Sequence, residues 1–161
     1  MKTMWMTLLL LSLAMVCGAA DDKMGAPANK VEAPAACTQC GMDRTHFAQS
    51  RMVITYGDGT SSATCSLHCA AADLKAAKGK RVVLIKVADY HSKRLVNARI
   101  AAWVMGGDVQ GVMTPVAKWA FAQRADAEAF VKEHGGKLVT FDEALKATKA
   151  ELDEQPAHHD H

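Results

Sequence analysis

Two cysteine pairs carry the most chemistry in this 161-residue chain. The first is Cys37-Thr38-Gln39-Cys40-Gly41-Met42, a CxxC followed by a glycine and a thioether, with His46 close behind. A CxxC can be a redox pair, half of a zinc site, or half of a soft-metal site. Gly41 lets the backbone turn so that Cys40 and Met42 can face one ion. A thioether beside thiolates suits Cu(I) and is poor zinc chemistry. The plainer alternative is a structural disulfide in an oxidising compartment, with Met42 simply buried. The second pair is Cys65-Ser66-Leu67-His68-Cys69. It falls at the start of an expected helix, where the N-terminal dipole favours thiolate. Between the pairs lie 24 residues, 41 to 64. That loosely fits a four-cysteine zinc site, whose usual gap is about 15–20 residues.

A third element is Gly111-Val112-Met113-Thr114-Pro115. Pro115 excludes a helix interior, so this is a loop or strand edge that can present Met113. Taken alone, Met113 reads as a packing residue, and Met52 and Met105 read as core. His158, His159 and His161 could collect metal on a tail, while His91 and His134 look like surface or helix-end residues. Catalytic signatures are absent: there is no GxSxG, no phosphate-cradling glycine loop and no HExxH. Nothing here reads as an enzyme.

The elements that must position these donors follow from periodicity. Arg51 to Tyr56 alternates and is rich in β-formers; Gly57-Asp58-Gly59 is a turn, and Thr60 to Thr64 returns as a second strand. Ser66 can cap a helix through about Lys78, closed by Gly79, and Arg81 to Ala88 makes a buried strand. The order then recurs. Ile100 to Met105 is apolar, Gly106-Gly107-Asp108 turns, and Lys118 to Ala122 reads as a strand. Ala125 to His134 is a helix stopped by Gly135-Gly136, and Lys137 to Phe141 is the last strand. The pattern predicts two ββαβ units of about 40 to 50 residues in one α+β domain. A charged terminal helix follows over 142–154.

Ahead of the domain, Lys2 and the apolar run Trp5 to Val16 read as a signal peptide over 1–20, since spanning a bilayer takes about 20 apolar residues. Cys17 sits where a lipoprotein acceptor would sit, although Val16 breaks the lipobox and cleavage after Ala19 or Ala20 competes. The Ala- and Pro-rich stretch 21–36 reads as a flexible tether, the folded part as 37–154, and 155–161 as a His-rich tail. These features predict a periplasmic protein that is either free or held to the membrane surface by a lipid on Cys17. Composition agrees with metal handling. Nine methionines, seven histidines and five cysteines are a heavy donor load, while a net charge of +2 and 6% aromatics give no nucleic-acid footprint.

Together, Cys37-xx-Cys40-Gly41-Met42, the Asp58-Gly59 turn, Gly111-Val-Met113-Thr-Pro115, Ala120-Phe121-Ala122, Asp126 to Phe130 and Gly135-Gly136 resemble the NosL family of periplasmic copper chaperones. The resemblance implies a Cu(I)-binding, often lipid-anchored protein built from paired ββαβ units. It would deliver copper for nitrous oxide reductase maturation alongside a membrane transporter complex. It also implies copper contact through Cys40, Met42 and Met113, with His46 a weaker candidate. Cys37, Cys65 and Cys69 are extra thiols that many members lack, and they leave the client open to another exported copper enzyme. The full candidate metal set is therefore Cys37, Cys40, Met42, His46, Cys65, His68, Cys69 and Met113. Cu(I) is the leading ion. A zinc-stabilised interaction module using the four cysteines is the second reading, and a thiol–disulfide protein acting through Cys37 and Cys40 is the third.

Overall fold

The structure, a computed structural model, describes residues 31–154. The expected signal segment, Cys17, residues 21–30 of the expected tether and the His-rich tail lie outside the described residues. Ten elements follow in order: β1 (Met52–Tyr56), β2 (Ser61–Thr64), α1 (Leu67–Ala76), β3 (Val82–Ala88), β4 (Leu95–Asn97), β5 (Ala102–Met105), β6 (Lys118–Phe121), α2 (Arg124–His134), β7 (Lys137–Val139) and α3 (Phe141–Glu154). No helix among the described residues is long and apolar enough to cross a membrane.

The class is α+β, and the repeat is visible in the sheets. One sheet runs β2-β1-β3-β4 and the other β6-β5-β7. In each, the first strand of the unit is central, flanked by the second and third, and every pairing is antiparallel. The strand β4 is an addition at the edge of the first sheet, pairing Lys86 with Asn97 through Ala88 with Leu95.

Alternation along β5 and β6 divides the interior into two cores. Trp103 and Ala120 face a core with Met52, Ile54, Ile85, Phe141 and others, while Val104, Trp119 and Phe121 face a second core with Ala127 and Phe130. Cys37, Cys65 and Cys69 belong to this second core. The second sheet is thus apolar on both faces, which is why Lys118–Phe121 reads as a continuous buried run. Trp103 stabilises the junction doubly, by burial and by donating its indole N–H to the Ala98 carbonyl at 2.8 Å.

Four local expectations need correction. Ile100 is 82% exposed and lies in a turn, so β5 starts at Ala102; the Asn97 side chain accepts from the Arg99 N–H and sets that turn. Phe141 opens α3 rather than closing β7. Thr140 and Glu143 form a reciprocal cap, with the Glu143 N–H on the Thr140 hydroxyl and the Thr140 N–H on the Glu143 carboxylate. Ser66 occupies the cap position of α1, but its side chain makes no capping bond. Residues 32–36, expected as tether, are held to the domain. The buried Arg44 donates to the carbonyls of Glu32 and Pro34 and pairs with the Glu32 carboxylate, Arg51 takes the same carboxylate, and Ala36 bridges to Asp43.

Candidate metal centre

The first thiol pair sits on a tight turn. The Gly41 N–H donates to the Cys37 carbonyl at 2.9 Å and the Cys37 N–H to the Met42 carbonyl at 2.8 Å. Gly41 has φ +75°, which a side chain would strain even though open space surrounds it. This turn docks on the outer edge of β2. The Thr38 N–H donates to the Ala63 carbonyl at 2.9 Å, the Thr38 and Ser62 hydroxyls meet at 2.8 Å, and the Gln39 amide donates to Asp73 on α1 at 2.9 Å. Asp73 also accepts from Ser62 and from the Tyr56 hydroxyl, so one half-buried carboxylate gathers turn, strand and helix. Neither Asp73 nor Arg44 was singled out from sequence, because each acts through partners far along the chain.

The second pair is set by the β2–α1 junction. Cys65 follows the last residue of β2, and Cys69 lies in the first turn of α1. The Ser50 hydroxyl donates to the Cys65 carbonyl at 2.7 Å and Arg44 Nε to the Thr64 carbonyl at 3.2 Å, which fixes the junction from below.

All four Sγ atoms converge to within 4.8 Å of one another. Cys65 is central, 3.6 Å from Cys40 and 3.7 Å from Cys69. Cys37, Cys65 and Cys69 are buried (4%, 0% and 2% exposed), whereas Cys40 is exposed. Hydrogen bonding from Cys69 holds the Cys65 thiol down, to about 6, outweighing desolvation. The same shared proton, with burial, pushes Cys69 well up. Cys40 is pushed up to about 11 by desolvation and by its Cys37 and Cys65 neighbours, against the lowering effect of the Met42 N–H. Four converging sulfurs, one of them accessible, make a donor set that suits a thiophilic ion.

Met42 and Met113 line a cleft of about 590 Å³ together with Phe47, Tyr90, Lys93 and Trp119, and Met42 also packs against the core that holds Cys37, Cys65 and Cys69. Met113 has φ +61° and is 43% exposed. Its loop is pegged from α3: the Thr114 hydroxyl donates to Glu151 at 2.6 Å and accepts from Lys118 at 3.1 Å, and Lys118 pairs with Glu151. The Trp119 indole N–H is buried without a partner.

The two histidines do not join either group. His46 is exposed and packs edge-on against Phe47 at 4.9 Å, outside the residues that line the cleft. His68 is half-buried and its ring is not among the converging donors; its Nδ1 is buried and unpartnered, and desolvation lowers its pKa. Helical geometry explains this, because His68 is one residue from Cys69 and so points off the thiol-bearing face. Asp58 is the expected turn residue, accepting from the Thr60 N–H at 2.9 Å.

Comparison with known proteins follows the same architecture. The crystal structure of the copper chaperone NosL from Shewanella denitrificans superposes with a TM-score of 0.53 at 24% identity, covering 73% of this chain and 96% of that one. A comparison with curated proteins gave no significant match. The NosL family profile matches residues 27–148, a span that takes in Glu32, both thiol pairs and the Met113 loop. On that match, the chain belongs to the NosL family.

Proposed function

We propose that this protein is a periplasmic carrier of Cu(I), which it receives and releases through sulfur. In this reading it delivers copper for maturation of nitrous oxide reductase or a related exported copper enzyme, with a membrane transporter complex as its other partner. A lipid on Cys17 would keep it at the membrane surface. The observation that carries the reading is that Met42 and Met113, far apart in sequence, line one open cleft, and that Met42 belongs to the same turn as the exposed Cys40. Soft thioether and thiolate sulfur select Cu(I). A cargo site must be tight yet exchangeable. Two or three surface ligands allow a partner's sulfur or imidazole to add as one of the carrier's own leaves, so the ion never passes free into water. Family membership and the chaperone title of the structural relative support the same reading.

The test is an anaerobic Cu(I) titration of the reduced protein, read by native mass spectrometry, with Cys40→Ser and Met113→Leu alongside. Weakened binding in both, with the fold retained, supports the shared sulfur site; parental affinity in both removes it. The convergence of four thiols separately favours the second reading, a zinc-stabilised interaction module. That module would carry one zinc per chain, unfold with chelators and keep its zinc when Cu(I) is added.

A further inference from the structure

One charged side chain lines the cleft that holds Met42 and Met113, and its sign is opposite to what a cation site would favour. Lys93 stands there beside Phe47, Tyr90 and Trp119, and no carboxylate joins it. We infer that Lys93 is a charge filter, whose ammonium admits monovalent copper to the two thioethers and turns divalent ions away. The inference rests on the copper reading above and names the residue that sets its selectivity.

Placement is the first argument. Lys93 has φ +61°, and among the described residues the other non-glycine residue with positive φ is Met113, in the same cleft. Such a conformation is costly for a residue with a side chain and persists only where its surroundings impose it. Here the Lys93 N–H donates to the Asp89 carbonyl at 2.9 Å, and the Lys93 carbonyl accepts from the buried Arg51 at 2.7 Å. The ammonium donates to the Tyr90 carbonyl and lies 5.0 Å over the Tyr90 ring. Lys93 is therefore a fixed wall of the cleft.

Its charge is the second argument. A carbonyl and an aromatic ring steady the ammonium without neutralising it. The carboxylate that acts on it, Asp89, is already engaged by the Ser92 N–H and hydroxyl and by the Ala122 N–H. Burial opposes the charged form, with Asp89 working the other way, so the fold keeps a cation here against desolvation.

The third argument is what a metal ion meets. Thioethers bring no charge, and the neighbouring Cys40 can bring one as thiolate. Cu(I) with one thiolate is neutral overall; a divalent ion with the same donors keeps a positive charge that faces Lys93. A cleft of about 590 Å³ is on the order of one Debye length across, roughly 8–10 Å, so that field is only partly screened. Repulsion is linear in the charge of the ion, so Lys93 opposes a divalent ion twice as strongly as Cu(I) in free energy. In binding constants the penalty is squared. Cu(I) bears the smaller penalty and recovers it through soft sulfur.

The experiment uses the full chain, reduced and anaerobic, with carbon-13 in the methionine methyls. The Met42 and Met113 signals, assigned from Met42→Leu and Met113→Leu, report binding in the cleft whatever the thiols hold. Cu(I) and the divalent probe Cd(II) are titrated from competing chelators into the parent, Lys93→Gln and Lys93→Arg. Lys93→Gln should gain about threefold to tenfold in Cu(I) affinity and the square of that gain, about ninefold to hundredfold, in Cd(II) affinity. Lys93→Arg should match the parent, and added nitrate salt should narrow the difference between parent and Lys93→Gln. Equal gains for the two ions, or cleft methyls that ignore Cd(II) in Lys93→Gln, overturn the inference. So does a fall in Cu(I) affinity, because Lys93 would then be holding an anion beside the metal. Should Lys93→Gln fail to fold, the parent alone decides: both affinities should rise with nitrate, Cd(II) more steeply, and a flat or falling response overturns the filter. The two readings fail separately. Methyls silent to Cu(I) in every chain remove the copper reading itself, whereas methyls that respond with equal gains remove only the filter.

Discussion

The carbonyl of Met42 accepts a hydrogen bond from the N–H of Cys37 at 2.8 Å, so the thioether at the cleft and the first buried thiol are fixed by one turn. This coupling runs through Gly41, whose φ of +75° is reached cheaply only without a side chain.

Gly41→Ala should therefore disturb Cys37 and Met42 together. No atom lies within 4 Å of the added methyl, so the cost is backbone strain, on the order of 1–2 kcal/mol. Chemical denaturation should show a fall of that size, and Cu(I) affinity should drop with it. Parental Cu(I) affinity in this variant would show that the turn does not set the metal donors.

The Met113 loop offers a cleaner separation of stability from binding. Met113→Leu removes sulfur from a partly exposed side chain, so stability should stay within about 0.5 kcal/mol while Cu(I) affinity falls. Glu151→Gln instead leaves Lys118, whose side chain is 2% exposed, without its ionic partner and releases Thr114. Breaking a buried pair costs about 3 kcal/mol, so here stability and copper affinity should both fall. Thermal melts beside Cu(I) competition titrations distinguish the two patterns.

Much of this arrangement was legible in sequence. Alternation in Arg51–Tyr56 and the glycine punctuation at 57–59 and 135–136 located strands and turns, and the recurrence of strand, strand, helix, strand predicted the paired units. Thiol spacing pointed to one four-cysteine group, and the fold brings the four sulfurs together. That Met42 and Met113 line one cleft was suggested only by the family resemblance, since residue type alone says nothing about which side of a turn a side chain takes. Helix phase could have excluded His68, one residue from Cys69. The strap formed by Glu32, Arg44 and Arg51 was hidden for another reason: an Ala- and Pro-rich stretch looks like a tether until two distant arginines are folded onto it. Only three residues long, β4 gave too little alternation to register.

Trp119 reports on the cleft directly, because it lines the same space as Met42 and Met113, while Trp103 faces the other core. Cu(I) should quench the emission of Trp119, and Trp119→Phe should abolish that response. Quenching that persists in Trp119→Phe would place the copper elsewhere.

The N-terminal strap should give the domain an acid-sensitive edge. Burial alone would raise the Glu32 pKa, but its backbone hydrogen bond and the Arg51 and Arg44 side chains outweigh this and hold it below the ordinary 4.5. A carboxylate with a depressed folded pKa contributes stability that is full above 4.5 and is lost as pH falls through the lower, folded value. Glu32→Gln should thus cost roughly 1–2 kcal/mol at neutral pH, since Arg44 is wholly buried and Glu32 itself is about one-third exposed. The gap between variant and parent should narrow below pH 4.5 as the parent's own carboxylate protonates. Melts recorded across that range check the sign: a gap that widens on acidification would mean that Glu32 is not the anion holding Arg44 and Arg51.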